Sequence, residues 1–200
     1  MNSRELEAAV TARFVAVNGQ HPMTPEDDDY VDEWYTPLTA LAAAAGVEPQ
    51  ELHRQMLANR LPLPSYIRSD GTQMVARDLL ALRERAGDAD QLPSWFASHF
   101  DEPSTAVSEW DAYLAGHYVC LRSVTPEQMK RKDELVAAIE GALADPQPAS
   151  CEWRAGLHRL VDQLDELEPP FAPYDRLRFG GPVSRDRLVA EPRARFLLTR

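Results

Sequence analysis

Four arginines and a Gly-Gly pair lie close together in residues 174–187, YDRLRFGGPVSRDR. Arginine binds carboxylate and phosphate through paired hydrogen bonds. The glycines let the backbone approach a ligand closely, and the serine could cap a short helix whose amide groups favour an anion. The alternative is that the arginines pair with Asp175, Asp186 or other acidic residues of the chain. We predict an anion-binding site made of Arg176, Arg178, Gly180, Gly181, Ser184, Arg185 and Arg187.

His117 and Cys120 are a second group with chemical potential, in the segment SEWDAYLAGHYVCLRS. Their spacing of three residues predicts that one helix face carries both, together with Trp110 and Leu114. A histidine beside a cysteine can generate a thiolate nucleophile. His117 and Cys120 are therefore candidate catalytic residues, and packing in an apolar core is the alternative for the same pair.

An acidic run supplies the only candidate metal ligands, Asp28, Asp29 and Asp32 in DDYVD. The string matches the DDxxD pattern of prenyl-diphosphate enzymes, whose carboxylates share Mg²⁺ ions that hold diphosphate. A solvated acidic loop is the alternative that we favour, because no second metal motif accompanies the run. The sequence also lacks G-x-G-x-x-G, a P-loop, H-E-x-x-H and zinc-type cysteine spacing, so we expect no cofactor.

Charge narrows the range of partners. The chain has a formal net charge of −11, although residues 174–200 contain seven arginines and only three acidic residues. An acidic protein repels nucleic acid unless one face is basic. A lysine Schiff base is improbable, because Lys130 and Lys132 have charged neighbours that argue against burial. We see no export signal, no apolar membrane span and only two cysteines, so we expect a cytoplasmic protein with reduced thiols and no membrane partner.

The elements that must position these residues are nearly all helical. Apolar residues recur at helical spacing in most segments, and Tyr66-Ile67 and Met74-Val75, joined by Asp70-Gly71 as a two-residue turn, form the one clear hairpin signal. Ser3 is the predicted cap of the first helix, and Thr36-Pro37 are predicted to start a later one. The predicted fold is mostly α, with a winged helix-turn-helix-like N-terminal part packed on a C-terminal helical part. We place the N-terminal part at residues 1–90 and the C-terminal part, with its arginine-rich tail, at residues 91–200, and the two could form one cooperative unit.

The segment LTALAAAAGVEPQELHRQM has a small apolar helix, a Gly-Val turn and a second helix. With the hairpin that follows, residues 38–82 resemble the MerR-type winged helix-turn-helix, in which the second helix reads DNA and the hairpin contacts phosphate. This resemblance implies a DNA-binding regulator. The charge argues against that function, because Glu48 and Glu51 stand where the second helix would meet phosphates.

Three phrases, LPLPSYIRSDGTQMV, YLAGHYVCLRSVTPE and LEPPFAPYDRLRFGGPVSRDR, resemble a bacterial family of unknown function whose members are labelled natural-product biosynthesis proteins. The similarity runs from about residue 35 to 190. It implies a setting in specialised metabolism and supplies no reaction. Our leading hypothesis is a protein that binds an anionic small molecule or a carrier-linked intermediate. The alternatives are the DNA-binding regulator and a non-catalytic subunit that docks on a biosynthetic enzyme, and whether the chain is an enzyme stays open.

Overall fold

The computed structural model of the chain describes residues 1–197. Over this range the chain is mostly α-helical, with eleven α-helices and three short strands, which confirms the predicted fold class at this level. It divides into two compact units, the first spanning Met1–Val119 and the second beginning at Cys120. Among the described residues, no helix has the combination of length and apolar character that a membrane span requires.

The first unit contains seven helices and the small sheet. Its first helix begins at an Asn2–Glu5 capping box, one residue before the predicted cap, and ends at Gly19. In chain order the elements are α1 (Ser3–Asn18), α2 (Pro25–Trp34), β1 (Thr36–Pro37), α3 (Leu38–Ala44), α4 (Pro49–Leu57), β2 (Tyr66–Ile67), β3 (Gln73–Val75), α5 (Ala81–Ala86), α6 (Leu92–Ala97) and α7 (Pro103–Leu114).

The three strands form an antiparallel sheet in the order β1-β3-β2. Tyr66 faces Met74 in the register, so the predicted hairpin is present. Its connection is longer than the two-residue turn we predicted, since Arg68 and Thr72 still share a backbone hydrogen bond of 2.9 Å. Strand β1 pairs with the outer side of β3, where Thr36 faces Val75.

Two local predictions in this unit are wrong. The acidic run, predicted as a loop, is helix α2, because Thr24 and Asp27 form a capping box and Pro25 occupies the first helical turn. Thr36 and Pro37, predicted to start a helix, are strand β1, and helix α3 begins at Leu38. A capping box decides the first case and strand pairing decides the second. The spacing of apolar residues indicates neither.

A buried polar network fixes helix α4 in the first unit. His53 is buried and its Nε2 hydrogen-bonds Gln73 Oε1 at 2.8 Å. The Gln73 amide nitrogen in turn donates to Thr11 Oγ1 and to the Glu7 carbonyl, each at 3.0 Å. Helices α1 and α4 and strand β3 are thereby joined through groups whose burial would otherwise be costly.

The second unit is built on two long helices, α8 and α9, that pack against each other. Thr125 caps α8 and Ser150 caps α9, each by accepting a backbone N–H with its hydroxyl oxygen. Helix α10, one wide helical turn of π type at Asp186–Ala190 and helix α11 complete the unit. The bounds are α8 (Pro126–Ala144), α9 (Cys151–Leu167), α10 (Pro173–Arg178) and α11 (Glu191–Arg195).

The core of the second unit is apolar and lies between α8, α9 and the C-terminal turns. Ile139, Val161 and Leu164 have no exposed side-chain surface, and Leu188 and Phe196 close the cluster from the last segment. The predicted apolar stripes of α8 and α9 are therefore the faces that the unit buries, and this packing holds the turns at Leu188, Val189 and Phe196 against the helices.

Candidate functional site

Arg176 is fully engaged within its own segment. Its Nε donates to Asp186 Oδ2 at 2.9 Å and its Nη2 donates to Asp186 Oδ1 at 2.5 Å, which is a bidentate pair. Its Nη1 also donates to the Ala172 carbonyl at 3.1 Å. The hydrogen bonds from Arg176 hold the pKa of Asp186 below its usual value. Arg176 therefore closes the Gly-Gly loop and offers little to an external anion.

Arg185 and Ser184 are also occupied by acidic groups. Arg185 forms an ion pair with Asp165 of α9 and donates to the Glu168 carbonyl at 3.3 Å. Ser184 does not cap a helix as predicted, since it lies inside the first turn and the Val183 amide is bonded by Asp186 instead. The Ser184 hydroxyl donates to Glu168 Oε1. Both residues attach the segment to the end of α9.

The glycine loop between them is exposed. Gly180 has φ 73° and Gly181 has φ 155°, and a side chain at either position would meet open space. The glycines thus allow the positive φ angles of this turn, and no other described part of the chain lies close to them. Arg178 stacks its guanidinium over the Phe179 ring at 5.2 Å. The seven predicted residues lie in one surface segment, and Arg176 and Arg185 already hold carboxylates.

Arg187 differs from the other arginines of the segment. Its side chain is exposed and has no ion-pair or hydrogen-bond partner among residues 1–197. With Arg195 it lines a cavity of about 210 Å³. Arg195 packs over the Phe196 ring at 5.0 Å and also has no carboxylate partner in the described part of the chain. The remaining lining residues are Leu143, Glu191, Pro192 and Phe196.

The predicted metal ligands hold an arginine. Asp28 and Asp32 lie on α2, and the Arg68 guanidinium contacts Asp28 at 3.7 Å and Asp32 at 3.4 Å. Asp28 also accepts a hydrogen bond from the Ser69 amide at 3.1 Å, whereas Asp29 is exposed. Within residues 1–197, no group of three or more His, Cys, Asp or Glu side chains is arranged to hold a metal ion.

His117 and Cys120 do not share a helix face, contrary to the prediction. Helix α7 ends at Leu114, Gly116 takes φ 73°, and a 3₁₀-helix covers Tyr118–Cys120. A side chain at Gly116 would come within 2.8 Å of the Pro64 carbonyl oxygen, so this position favours glycine and the turn ends the helix there. The catalytic Cys–His hypothesis loses the geometry on which it was based.

The Cys120 thiol instead belongs to a buried polar cluster in the second unit, made of Cys120, Lys132, Glu168 and Ser184. Lys132 Nζ donates to Glu168 Oε1 at 2.8 Å and lies 3.4 Å from Ser184 Oγ. Cys120 and Lys132 are close enough for each to shift the pKa of the other. Glu168 has no exposed surface, and the Lys132 side chain is 13% exposed.

Burial and charge act in opposite directions on this cluster. Burial raises the pKa of the Cys120 thiol, although the Lys132 ammonium works in the other direction. Burial also disfavours the Lys132 ammonium, yet Cys120 and Glu168 hold the pKa of Lys132 above its usual value. The resting cluster is therefore a neutral thiol beside an ammonium–carboxylate pair.

Sequence reasoning missed Lys132 and Glu168, although helical spacing could have found both. Lys132 lies three residues after Met129 and seven before Ile139, which places it on the apolar stripe of α8. Glu168 follows Leu164 by four residues and is the C-cap of α9, in line with its buried stripe. A charged residue on a buried stripe predicts a buried partner, and that signal outweighs the charge of its sequence neighbours.

Comparison with known proteins places these residues in a family. Residues 77–197 match a family of unknown function, DUF6058. The chain belongs to this family. The DUF6058 match begins after strand β3 and covers the arginine segment and the buried cluster of the second unit. No curated protein and no solved structure matched the chain.

Proposed function

We propose that this DUF6058 protein binds an anionic small molecule, or the anionic end of a carrier-linked intermediate, in the cavity beside Arg187 and Arg195. The observation that supports it is a pair of exposed guanidinium groups without carboxylate partners in residues 1–197, lining a concave site with apolar walls. Concave apolar sites with a few convergent polar groups are typical of ligand pockets. Two arginines with free donors can bind one carboxylate or phosphate group.

Size and charge limit the ligand. A cavity of about 210 Å³ is smaller than the roughly 300 Å³ at which pockets for drug-sized ligands begin. It fits the head group of a ligand, whose remainder would lie along the exposed surface. Glu191 at the rim leaves a single net positive charge in the lining, which favours a small anion over a polyanion.

A second cavity, in the first unit, is a poorer candidate. It is larger, about 560 Å³, but its lining is rich in carboxylates and its two arginines face them. Arg60 already pairs with Asp90 at 3.3 Å. Its lining residues are Glu51, Gln55, Arg60, Arg83, Glu84, Gly87, Asp88, Ala89 and Asp90.

The wider setting in specialised metabolism is part of the proposal and rests on the sequence resemblance. A carrier-linked intermediate would present the phosphate of its phosphopantetheine arm, which matches the chemistry of the cavity. The docking-subunit alternative predicts a partner protein and needs no small anion, so the ligand titration below separates the two.

The test is thermal unfolding of the full chain with inorganic phosphate and with phosphopantetheine. At ten times the dissociation constant, a ligand that binds only the folded state adds about 1.4 kcal/mol, and about 1 kcal/mol raises the melting temperature of a chain of this size by about 2–4 °C. We expect that rise in the wild-type protein and its loss in an Arg187→Ala, Arg195→Ala variant.

Arg159→Ala is the control, because Arg159 is exposed on α9 and its loss removes one positive charge away from the cavity. We expect Arg159→Ala to respond to the ligand like wild type. An equal rise in all three proteins, or no rise at millimolar ligand in any of them, would contradict the proposal.

The DNA-binding alternative receives less support. We infer that residues 36–75 form a winged helix-turn-helix, because helices α3 and α4 precede the hairpin and β1 joins the sheet in the order β1-β3-β2. The arginines of this region are nevertheless engaged. Arg54 pairs with Glu51 at 3.0 Å, and Arg68 on the hairpin contacts Asp28, Asp32 and Asp70. Such arginines are poorly placed to neutralise phosphates.

A further inference from the structure

We propose that the ligand of the cavity beside Arg187 and Arg195 is a free α-amino acid with an apolar side chain, and that Glu191 is the residue that selects it. This proposal rests on the anion site proposed above and names the ligand whose carboxylate the two arginines bind. The Glu191 carboxylate accepts hydrogen bonds from the ligand's ammonium group, and the apolar wall of the cavity contacts the ligand's side chain.

Three charged side chains of this cavity follow each other at intervals of four residues. Arg187, Glu191 and Arg195 are all exposed and all line the cavity. On a regular α-helix, an arginine and a glutamate four residues apart are neighbours that can form an ion pair. Here the Glu191 carboxylate pairs with neither arginine and has no other ion-pair or hydrogen-bond partner within residues 1–197. Its charge is therefore available to a ligand.

The wide turn that precedes α11 accounts for this lack of pairing. Asp186–Ala190 is a turn of π type, and the Glu191 amide donates to the Asp186 carbonyl five residues earlier. Because a π turn contains more residues than an α turn, Arg187 and Glu191 are not aligned one above the other as they would be on an α-helix. The bidentate contact from Arg176 holds the first residue of the turn. Single π turns are frequent at functional sites.

The apolar wall of the cavity is fixed by the core of the second unit. Leu143 of α8 packs against that core, and Phe196 is part of it. The Phe196 ring meets the Trp153 ring edge to face at 5.0 Å, and the Phe196 carbonyl accepts a hydrogen bond from His158 Nε2 at 2.5 Å. Pro192 of α11 is buried as well. A ligand side chain can therefore bury apolar surface against a wall that is already in place.

A zwitterion matches the charges of the lining better than a simple anion does. Two arginines and one glutamate leave one net positive charge, and the negative charge belongs to Glu191. The guanidinium groups can bind a ligand carboxylate through paired hydrogen bonds. A ligand that has only a carboxylate places a like charge near Glu191, which weakens binding. An α-amino acid carries an ammonium group beside its carboxylate, so each charged group of the lining obtains an opposite charge.

The size of the cavity limits the amino acid. Water occupies about 30 Å³ per molecule in the liquid, so a cavity of about 210 Å³ corresponds to about seven water molecules. This is the scale of a free amino acid with a branched aliphatic side chain. L-Leucine is therefore the probe that we choose.

The test is isothermal titration calorimetry of the full chain with three probes. L-Leucine carries both charged groups, 4-methylpentanoate lacks its ammonium group, and 3-methylbutylamine lacks its carboxylate. In wild type we expect the dissociation constant of leucine to be about five- to tenfold lower than that of 4-methylpentanoate, because a partly exposed ion pair replaces a like-charge contact. We expect 3-methylbutylamine to bind more weakly than either, since its ammonium group meets two guanidinium groups.

Glu191→Gln should change the two affinities in opposite directions. The substitution keeps the size of the side chain and removes its charge. We therefore expect leucine to bind more weakly than in wild type and 4-methylpentanoate to bind more tightly, until their dissociation constants agree within about twofold. Loss of folding cannot produce this result, because it would weaken both. Glu166→Gln is the matched control, since Glu166 is exposed on α9 outside the cavity and should leave both constants unchanged.

Equal affinity of the wild-type protein for leucine and 4-methylpentanoate, or a Glu191→Gln variant that changes both affinities in the same direction, would overturn the proposed ligand. If phosphate or 4-methylpentanoate still binds in a way that requires Arg187 and Arg195, the anion site stands and only the amino-acid assignment is wrong. Absence of binding by phosphate and by all three probes contradicts the anion site itself, and the amino-acid assignment with it.

Discussion

The Arg176 guanidinium binds the chain itself because the Asp186 carboxylate lies within hydrogen-bond distance. It therefore has few donors left for a ligand. Asp186 lies ten residues away along the chain, and the Gly-Gly turn brings it into bidentate contact. Arg185 and Arg193 hold the segment in a similar way through Asp165, which accepts from Arg193 at 2.7 Å. The Arg185–Asp165 ion pair therefore attaches the segment to α9, and Arg187 lines the cavity.

The Arg176–Asp186 ion pair predicts that the free energy of unfolding depends on pH. The pKa of Asp186 is lowered by Arg176, so its contribution to the free energy of unfolding is complete above the ordinary value of 3.8 and is lost as the pH falls through the lower folded value. Both side chains are partly exposed, so we expect about 1 kcal/mol or less at pH 7. Asp186→Asn should lose that amount at pH 7, and its difference from wild type should shrink as the pH falls below 3.8.

Urea unfolding between pH 7 and pH 2.5 measures this difference. Asp29→Asn is the control. Asp29 is exposed, and its substitution removes one carboxylate without breaking a described contact. A loss in Asp186→Asn that persists unchanged at pH 2.5 would show that the effect is not the charge of the pair.

At the scale of elements, tight turns determine what the helices can present. Helix α7 cannot continue through Gly116, because the backbone there has φ 73° and passes against the Pro64 and Leu63 carbonyl oxygens. This turn separates His117 from the helix on which the sequence placed it. Residue spacing alone assumes an uninterrupted helix, and it therefore placed His117 and Cys120 on a helix that the structure ends at Leu114.

We expect a glycine-to-alanine substitution to have opposite effects on stability at Gly116 and at Gly141. Gly116→Ala would force a side chain to 2.8 Å from a backbone oxygen at a positive φ, so we expect it to destabilise the protein by about 1–3 kcal/mol. Gly141→Ala lies in helix α8 with open space around the added methyl group, and we expect stabilisation by about 0.5–1 kcal/mol. Denaturant unfolding of both variants provides the measurement, and equal effects of the same sign would contradict this explanation.

At the scale of the whole molecule, the net charge of −11 governs encounters with polyanions. In the segment that we predicted to be a winged helix-turn-helix, Arg54 and Arg68 pair with carboxylates of the chain itself. We expect no shift of random-sequence or gene-cluster DNA at 150 mM salt and micromolar protein. Binding that depends on sequence and weakens steeply as salt rises would contradict this expectation and favour the regulator.

The amino-acid sequence determined the mostly helical fold, the hairpin and the buried stripes of α8 and α9, because these follow from local propensity, capping and periodicity. It also identified the arginine segment as the chemically unusual end of an acidic chain. Only the tertiary structure decided that Arg176 and Arg185 bind carboxylates of the chain itself, since Asp186 and Asp165 reach them through space. It alone brought Lys132 and Glu168 together, because a contact between residues thirty-six positions apart depends on how helices pack and leaves no short motif in the sequence.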